Sequence, residues 1–153
     1  MSSDFDKMVD QLQEDIINDM RKHYSEKVIE LFLHPQNVGG IKDAQGYAKH
    51  TGPCGDTMEI YLKICDNTVS EAKFMTDGCG TTLACGSTVT SLSRGKTIPG
   101  AIRLTSKDIL DELGGLPEAD VHCSVLAANT LKMAIKNYLV EGKHPWKRLY
   151  KRS

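Results

Sequence analysis

From Phe5 to Met20 the apolar side chains fall at Phe5, Met8, Val9, Leu12, Ile16, Ile17 and Met20. That is helical spacing, with acids filling the opposite face, and it predicts an amphipathic helix. Val28, Ile29, Leu31, Phe32 and Leu33 predict a second helix from about Ser25 to Leu33. His34-Pro35 ends it, because the residue before a proline disfavours helical backbone angles. NVGGIKDAQGY (37–47) is a loop. The pattern then changes to alternation. A short strand fits 46–50. MEIYLKIC (58–65) alternates around Ile60, Leu62 and Ile64, and VSEAKFMTDG (69–78) is a further strand, joined to it through a DNT turn as a hairpin. Helical spacing returns in TTLACGSTVTSLSRG (81–95), with Leu83, Val89 and Leu92 apolar and Gly95 as the stop signal. TSKDILDELGG (105–115) carries a Thr or Ser cap and a Gly-Gly end. The longest periodic run, 121–142, sets Val125, Leu126, Leu131, Ala134, Ile135 and Tyr138 on one broad face, with Asp120 as its N-cap. Helices, a small antiparallel sheet and helices again make an α+β domain, not alternating βαβ units.

Size and composition narrow the possibilities. At 153 residues the chain suits a single core. With 40% hydrophobic and 25% charged residues it reads as an ordinary soluble domain. A net charge of −1 gives no electrostatic case for nucleic acid or membrane as a main partner. MSSDFDKMVD is acidic and lacks the long apolar run of a signal peptide. No apolar stretch reaches the roughly 20 residues of a membrane helix. The expected location is cytoplasmic.

The chemistry rests on cysteine. There are five: Cys54, Cys65, Cys79, Cys85 and Cys123. An odd count without a secretory context argues against a disulfide framework. Cys54 sits in GPCGD (52–56), a bend that also carries Asp56. Cys79 sits in DGCGTT (77–82), where a strand hands over to a helix. Cys123 follows His122 at a helix start. None of these three lies within an apolar element, which weakens the ordinary reading of a cysteine as a small buried hydrophobe. Cys65 closes a strand in the phase opposite to Ile64 and reads as incidental, and Cys85, inside a helix, reads as packing. Two of the three remaining thiols occupy predicted helix N-termini, where free N–H groups and the helix dipole favour the thiolate. Glycines on both sides of Cys79 let an inorganic group approach the backbone.

Three thiolates with one carboxylate or imidazole suggest a four-ligand site. Structural zinc would use close pairs such as C-x₂-C, and none is present. Iron–sulfur clusters also take thiolates, but a permanent electron-transfer centre favours four. Asp56 supplies a harder oxygen, a mismatch that suits a cluster meant to be handed on.

YSEKVIELFLHPQNVG (24–39), GPCGD, DGCGTTLACGS (77–87), GK (95–96) and HCSVLAANTLKMAI (122–135) occur in this order. Together they resemble iron–sulfur cluster assembly scaffolds of the IscU type and the N-terminal domain of NifU, over about residues 24–140. The resemblance implies a three-stranded antiparallel sheet packed against several helices, with the cluster site at one exposed end. It implies Cys54, Asp56, Cys79 and Cys123 as ligands, with His122 as an alternative. It implies a cysteine desulfurase as persulfide donor, iron, a [2Fe–2S] product, [4Fe–4S] in a dimer, and transfer to apo-proteins. Cys123, at a helix start beside His122, is the expected persulfide acceptor. The chain then divides into an N-terminal helical extension (1–23), the scaffold domain (24–142) and a basic tail (143–153) expected to fray.

Three departures stand out. LPEAD (116–120) replaces the LPPVK of bacterial and mitochondrial members, which argues against a dedicated Hsp70-type chaperone. Cys85 stands where a small residue is usual. The extension 1–23 either lies on its own domain or forms a dimer contact shielding a shared cluster. A zinc-dependent sulfurtransferase of the SufU type is the alternative; that branch usually carries an insertion between the second and third cysteines and Arg in place of His122, and this chain has neither. A plain zinc-stabilised interaction domain is the third reading.

Overall fold

The structure is a computed structural model and describes residues 2–78 and 80–143. Cys79 and the tail 144–153 lie outside the described residues. The elements in order are α1 (Ser2–Arg21), α2 (Glu26–Leu33), β1 (Gly46–Thr51), β2 (Thr57–Cys65), β3 (Thr68–Thr76), α3 (Gly80–Ser93), α4 (Ile98–Ile102), α5 (Ser106–Leu113), a 3₁₀ turn (Glu118–Asp120) and α6 (Val121–Lys143). The sheet is antiparallel in the order β1-β2-β3, and the class is α+β as the pattern predicts.

Local chemistry explains most of the boundaries. Ser25 caps α2 by accepting from the Val28 N–H, and Thr105 with Asp108 forms a capping box on α5. Gly114 closes α5 in the left-handed conformation. In the β2–β3 hairpin, Asp66 and Asn67 both have positive φ, which matches the twist of a two-residue turn. Thr68 therefore begins β3, and Cys65 is left exposed at the end of β2, out of phase with the core.

The inward face of the sheet carries Ala48, Met58, Ile60, Leu62, Val69, Ala72 and Phe74, all in one core cluster with Leu126, Ala127, Leu131, Ala134 and Ile135 of α6. Gly46 permits close contact at β1, since a Cβ there would come 2.7 Å from the Ala134 carbonyl oxygen. On the opposite face of the sheet, burial and a hydrogen bond to Glu59 push the Tyr47 phenol well above its ordinary pKa, and the same causes raise Tyr61.

Asp120 stands immediately before α6, where its cap is expected. It ends the 3₁₀ turn, and its carboxylate accepts from the Tyr24 hydroxyl at 2.9 Å. The helix α4, capped by Thr97, spans five residues, too few to show a period in the sequence. In α3 the burial follows Val89 but not Leu83 and Leu92. Leu83 and Leu92 are only half-buried, whereas Thr81, Thr82, Cys85, Ser87, Thr88, Thr90 and Ser93 are buried with Val89. Hydroxyls tolerate this by bonding within their own helix: Thr88 donates to the Ala84 carbonyl and Thr90 to that of Gly86. Val125 is exposed, outside the packed face of α6.

The stripe of α1 forms as predicted but is not buried. Phe5, Met8, Leu12 and Ile16 are 52–65% exposed. Only its C-terminal part approaches α2, where Ile16, Ile17 and Met20 line an apolar groove with Leu33 and His34.

Candidate functional site

Register brings the segments that carry Cys54, Asp56 and Asp77 to one end of the sheet. Thr51 pairs with Thr57 around the 52–56 turn, and Met58 pairs with Thr76, just before the bend at Asp77 and Gly78. Asp77 ties the two turns together: its carboxylate accepts from the Thr57 N–H at 2.8 Å. The 52–56 turn closes on itself through Gly52 N–H to the Asp56 carbonyl and Gly55 N–H to the Gly52 carbonyl, with Gly55 at φ +90°. That left-handed angle favours glycine and explains the residue between Cys54 and Asp56. Gly52 rests on Leu126, so the turn lies against the first turns of α6.

Asp56, His122 and Cys123 converge there. A carboxylate oxygen, an imidazole nitrogen and the sulfur all lie within 4.8 Å of one another. The Cys123 Sγ is 3.6 Å from His122 Nε2. Thr82 was given no role by the sequence reading, yet its Oγ1 donates to Asp56 Oδ2 at 3.1 Å and lies 3.4 Å from Cys123 Sγ. Asp56 thus sits at the first turn of α3, and Cys123 is the third residue of α6. Both helix starts favour negative charge nearby.

Burial separates the thiols. Cys123 is only 1% exposed and belongs to the core cluster. Cys54 is exposed on its turn and is not among the three converging donors. Cys85 is fully buried beside Val89 and Ala84, in keeping with packing. Cys79, expected as a ligand, lies outside the described residues; α3 begins at the next residue, Gly80.

α2 buttresses this end. Tyr24 and Phe32 meet edge-on with centroids 5.1 Å apart. The Tyr24 hydroxyl holds Asp120, two residues before His122, and the Phe32 ring lies so close to Gly80 that a Cβ there would sit 3.1 Å from it. Neither aromatic could be assigned from spacing, because each acts on a segment more than 45 residues away.

Sulfur, nitrogen and oxygen donors together suit a borderline transition metal such as iron or zinc. No helix among the described residues is long and apolar enough to cross a membrane.

A family model described as the NifU-like N terminal domain matches residues 23–144. The iron–sulfur cluster assembly scaffold protein IscU 1 of Archaeoglobus fulgidus is 45% identical over 116 residues, covering 75% of this chain and 76% of that protein. IscU of Aquifex aeolicus is 42% identical over 125 residues, 80% of each chain. Among solved structures, the N-terminal domain of a nitrogen-fixing NifU-like protein from Brucella abortus superimposes with a TM-score of 0.59 at 20% identity, covering 76% of this chain and 94% of that one. At that identity the likeness speaks for the fold alone.

Proposed function

This chain belongs to the NifU-like N-terminal domain family, and on that footing we propose how its residues do the work of an iron–sulfur cluster assembly scaffold. The protein is a cluster carrier, not a turnover enzyme. The cluster, of the [2Fe–2S] type, is its cargo, held by Cys54, Asp56, Cys79 and Cys123, with His122 as alternative donor. The observation that supports this most is the convergence of Asp56, His122 and Cys123. Zinc fits the same donors in the cluster-free form.

Sulfur comes from a cysteine desulfurase. The Cys123 thiolate attacks the outer sulfur of the donor persulfide, a new S–S bond forms on Cys123, the donor's S–S bond breaks, and the donor cysteine leaves as thiolate. Reduction of each such sulfur to sulfide then takes two electrons from an external ferredoxin-class donor. Since Cys123 is covered, reception requires the residues packed over it to move aside, and the 52–56 turn, whose Asp56 carboxylate lies within 4.8 Å of the sulfur, is the segment proposed to do so. Residues 24–142 form the scaffold domain. The LPEAD segment acts as an internal buttress through Asp120 and Tyr24, not as a chaperone handle. The open stripe of α1 suits the dimer-contact reading of the 1–23 extension.

The test is anaerobic incubation with ferrous iron, cysteine and a desulfurase, followed by addition of an apo-ferredoxin. A brown protein with sulfur-to-iron charge-transfer absorption, bleached as the acceptor gains its cluster, is expected. Retained zinc with no colour would sink this reading and favour the zinc-dependent sulfurtransferase.

A further inference from the structure

Thr82 is fully buried and touches each segment that carries a ligand. Its hydroxyl reaches Asp56 of the 52–56 turn and Cys123 of α6. Its side chain also fills the space beside Gly78, where a Cβ would fall 2.7–2.9 Å from Thr82 atoms. Three other hydroxyls of α3, those of Thr88, Thr90 and Ser93, send their proton to carbonyls of the same helix. That of Thr82 is aimed across the domain. Packing alone does not call for an alcohol here, because valine has the same shape and avoids the cost of burying a polar group.

We propose that Thr82 is a positioning residue that sets Asp56 and Cys123 for the metal, an inference that rests on reading those two as ligands. Donation to Oδ2 would restrain the carboxylate rotation and leave Oδ1 available to a metal. Asp56 otherwise hangs on a turn next to a glycine with positive φ, and its side chain would lose rotamer freedom only when the metal binds. The hydroxyl oxygen also lies against the sulfur, so the acid and the thiol are held at a fixed separation by one atom. Groups that orient metal ligands in this way carry a substantial share of metal affinity.

The test uses cobalt(II), whose colour reports its ligands, added anaerobically to the full chain. Thr82→Val is expected to weaken cobalt binding by about tenfold and to alter the ligand-field bands. Thr82→Ser, which keeps the hydroxyl, is expected to stay within about twofold of the parent, inside the lower bound for loss of an orienting group. Wild-type affinity and spectrum in Thr82→Val would overturn the proposal. So would equal losses in the Ser and Val variants, which would assign the effect to the methyl group. Should Thr82→Val not fold, Thr82→Ala removes the hydroxyl without adding bulk and must show the same loss. Cys123→Ser separates the two levels of argument. If wild type shows a sulfur–cobalt band that Cys123→Ser weakens, the site reading stands whatever Thr82 does; if wild type shows no such band, or Cys123→Ser leaves it unchanged, the site reading itself fails and takes the proposal with it.

Discussion

Gly86→Ala tests how the site is held in place. Gly86 lies one turn after Thr82, on the same side of α3. A Cβ at Gly86 would fall 2.3 Å from Phe74 Cε2 and 2.4 Å from Cδ2. Ordinary carbon contacts lie at about 3.5–4.0 Å, so ring and helix must separate by more than ~1 Å. The ring has little room to yield. Phe74 is fully buried, pairs with Ile60, and its backbone is bonded to Asn37 and Gly39 on the other edge. Overpacking of this kind costs about 3 kcal/mol, the upper part of the usual range. Gly to Ala within a helix returns about 1 kcal/mol. The net loss of about 2 kcal/mol corresponds to a fall in Tm of about 4–8 °C for a domain of this size. Thermal unfolding followed by circular dichroism measures it, with a urea titration of unchanged slope to show that the folded state is the one affected. Adding Phe74→Leu should recover part of the loss, giving a coupling of about 1 kcal/mol between the two sites. A Tm equal to or above that of the parent would refute the claim that α3 is seated on Phe74 through a bare backbone.

Alkylation of the metal-free protein should modify Cys54 and Cys65 first and Cys85 and Cys123 last, as read by peptide mass spectrometry; early labelling of Cys123 would contradict its burial. Mixing with desulfurase and cysteine should then raise the labelling of Cys123, while no change would rule out displacement of the 52–56 turn. Asp56→Ala should slow cluster transfer to an apo-ferredoxin severalfold, because the hard oxygen ligand is the labile one; equal rates would defeat that account of lability. A chain beginning at His23 should lose the dimer population that forms on cluster loading, measured by light scattering, and an unchanged population would show that the stripe of Phe5, Met8, Leu12 and Ile16 contributes nothing to assembly.

The alternation around Ile60, Leu62 and Ile64 specifies β2 because a strand exposes its period within a few residues. The Ser25 cap, the Thr105 capping box and the Gly114 stop are likewise local, each spanning three or four residues, so they can be read from the chain. The same holds for Cys54 and Cys79 in their Gly- and Pro-containing bends and for Cys123 beside His122, local settings from which a metal site is expected before any fold is known. Tertiary structure decided the rest. It gathered Asp56, His122 and Cys123 from segments more than 60 residues apart, and it buried the Cys123 thiol while leaving that of Cys54 exposed. It turned the hydroxyl-rich α3 inward, where an amphipathic reading had looked for leucines, and it placed Thr82 between acid and thiol. It also left the stripe of α1 uncovered, although that stripe looks like any core-facing helix in the sequence. Caps and periods are set by neighbours along the chain, whereas convergence and burial depend on how whole elements pack, and no short window of sequence contains that information.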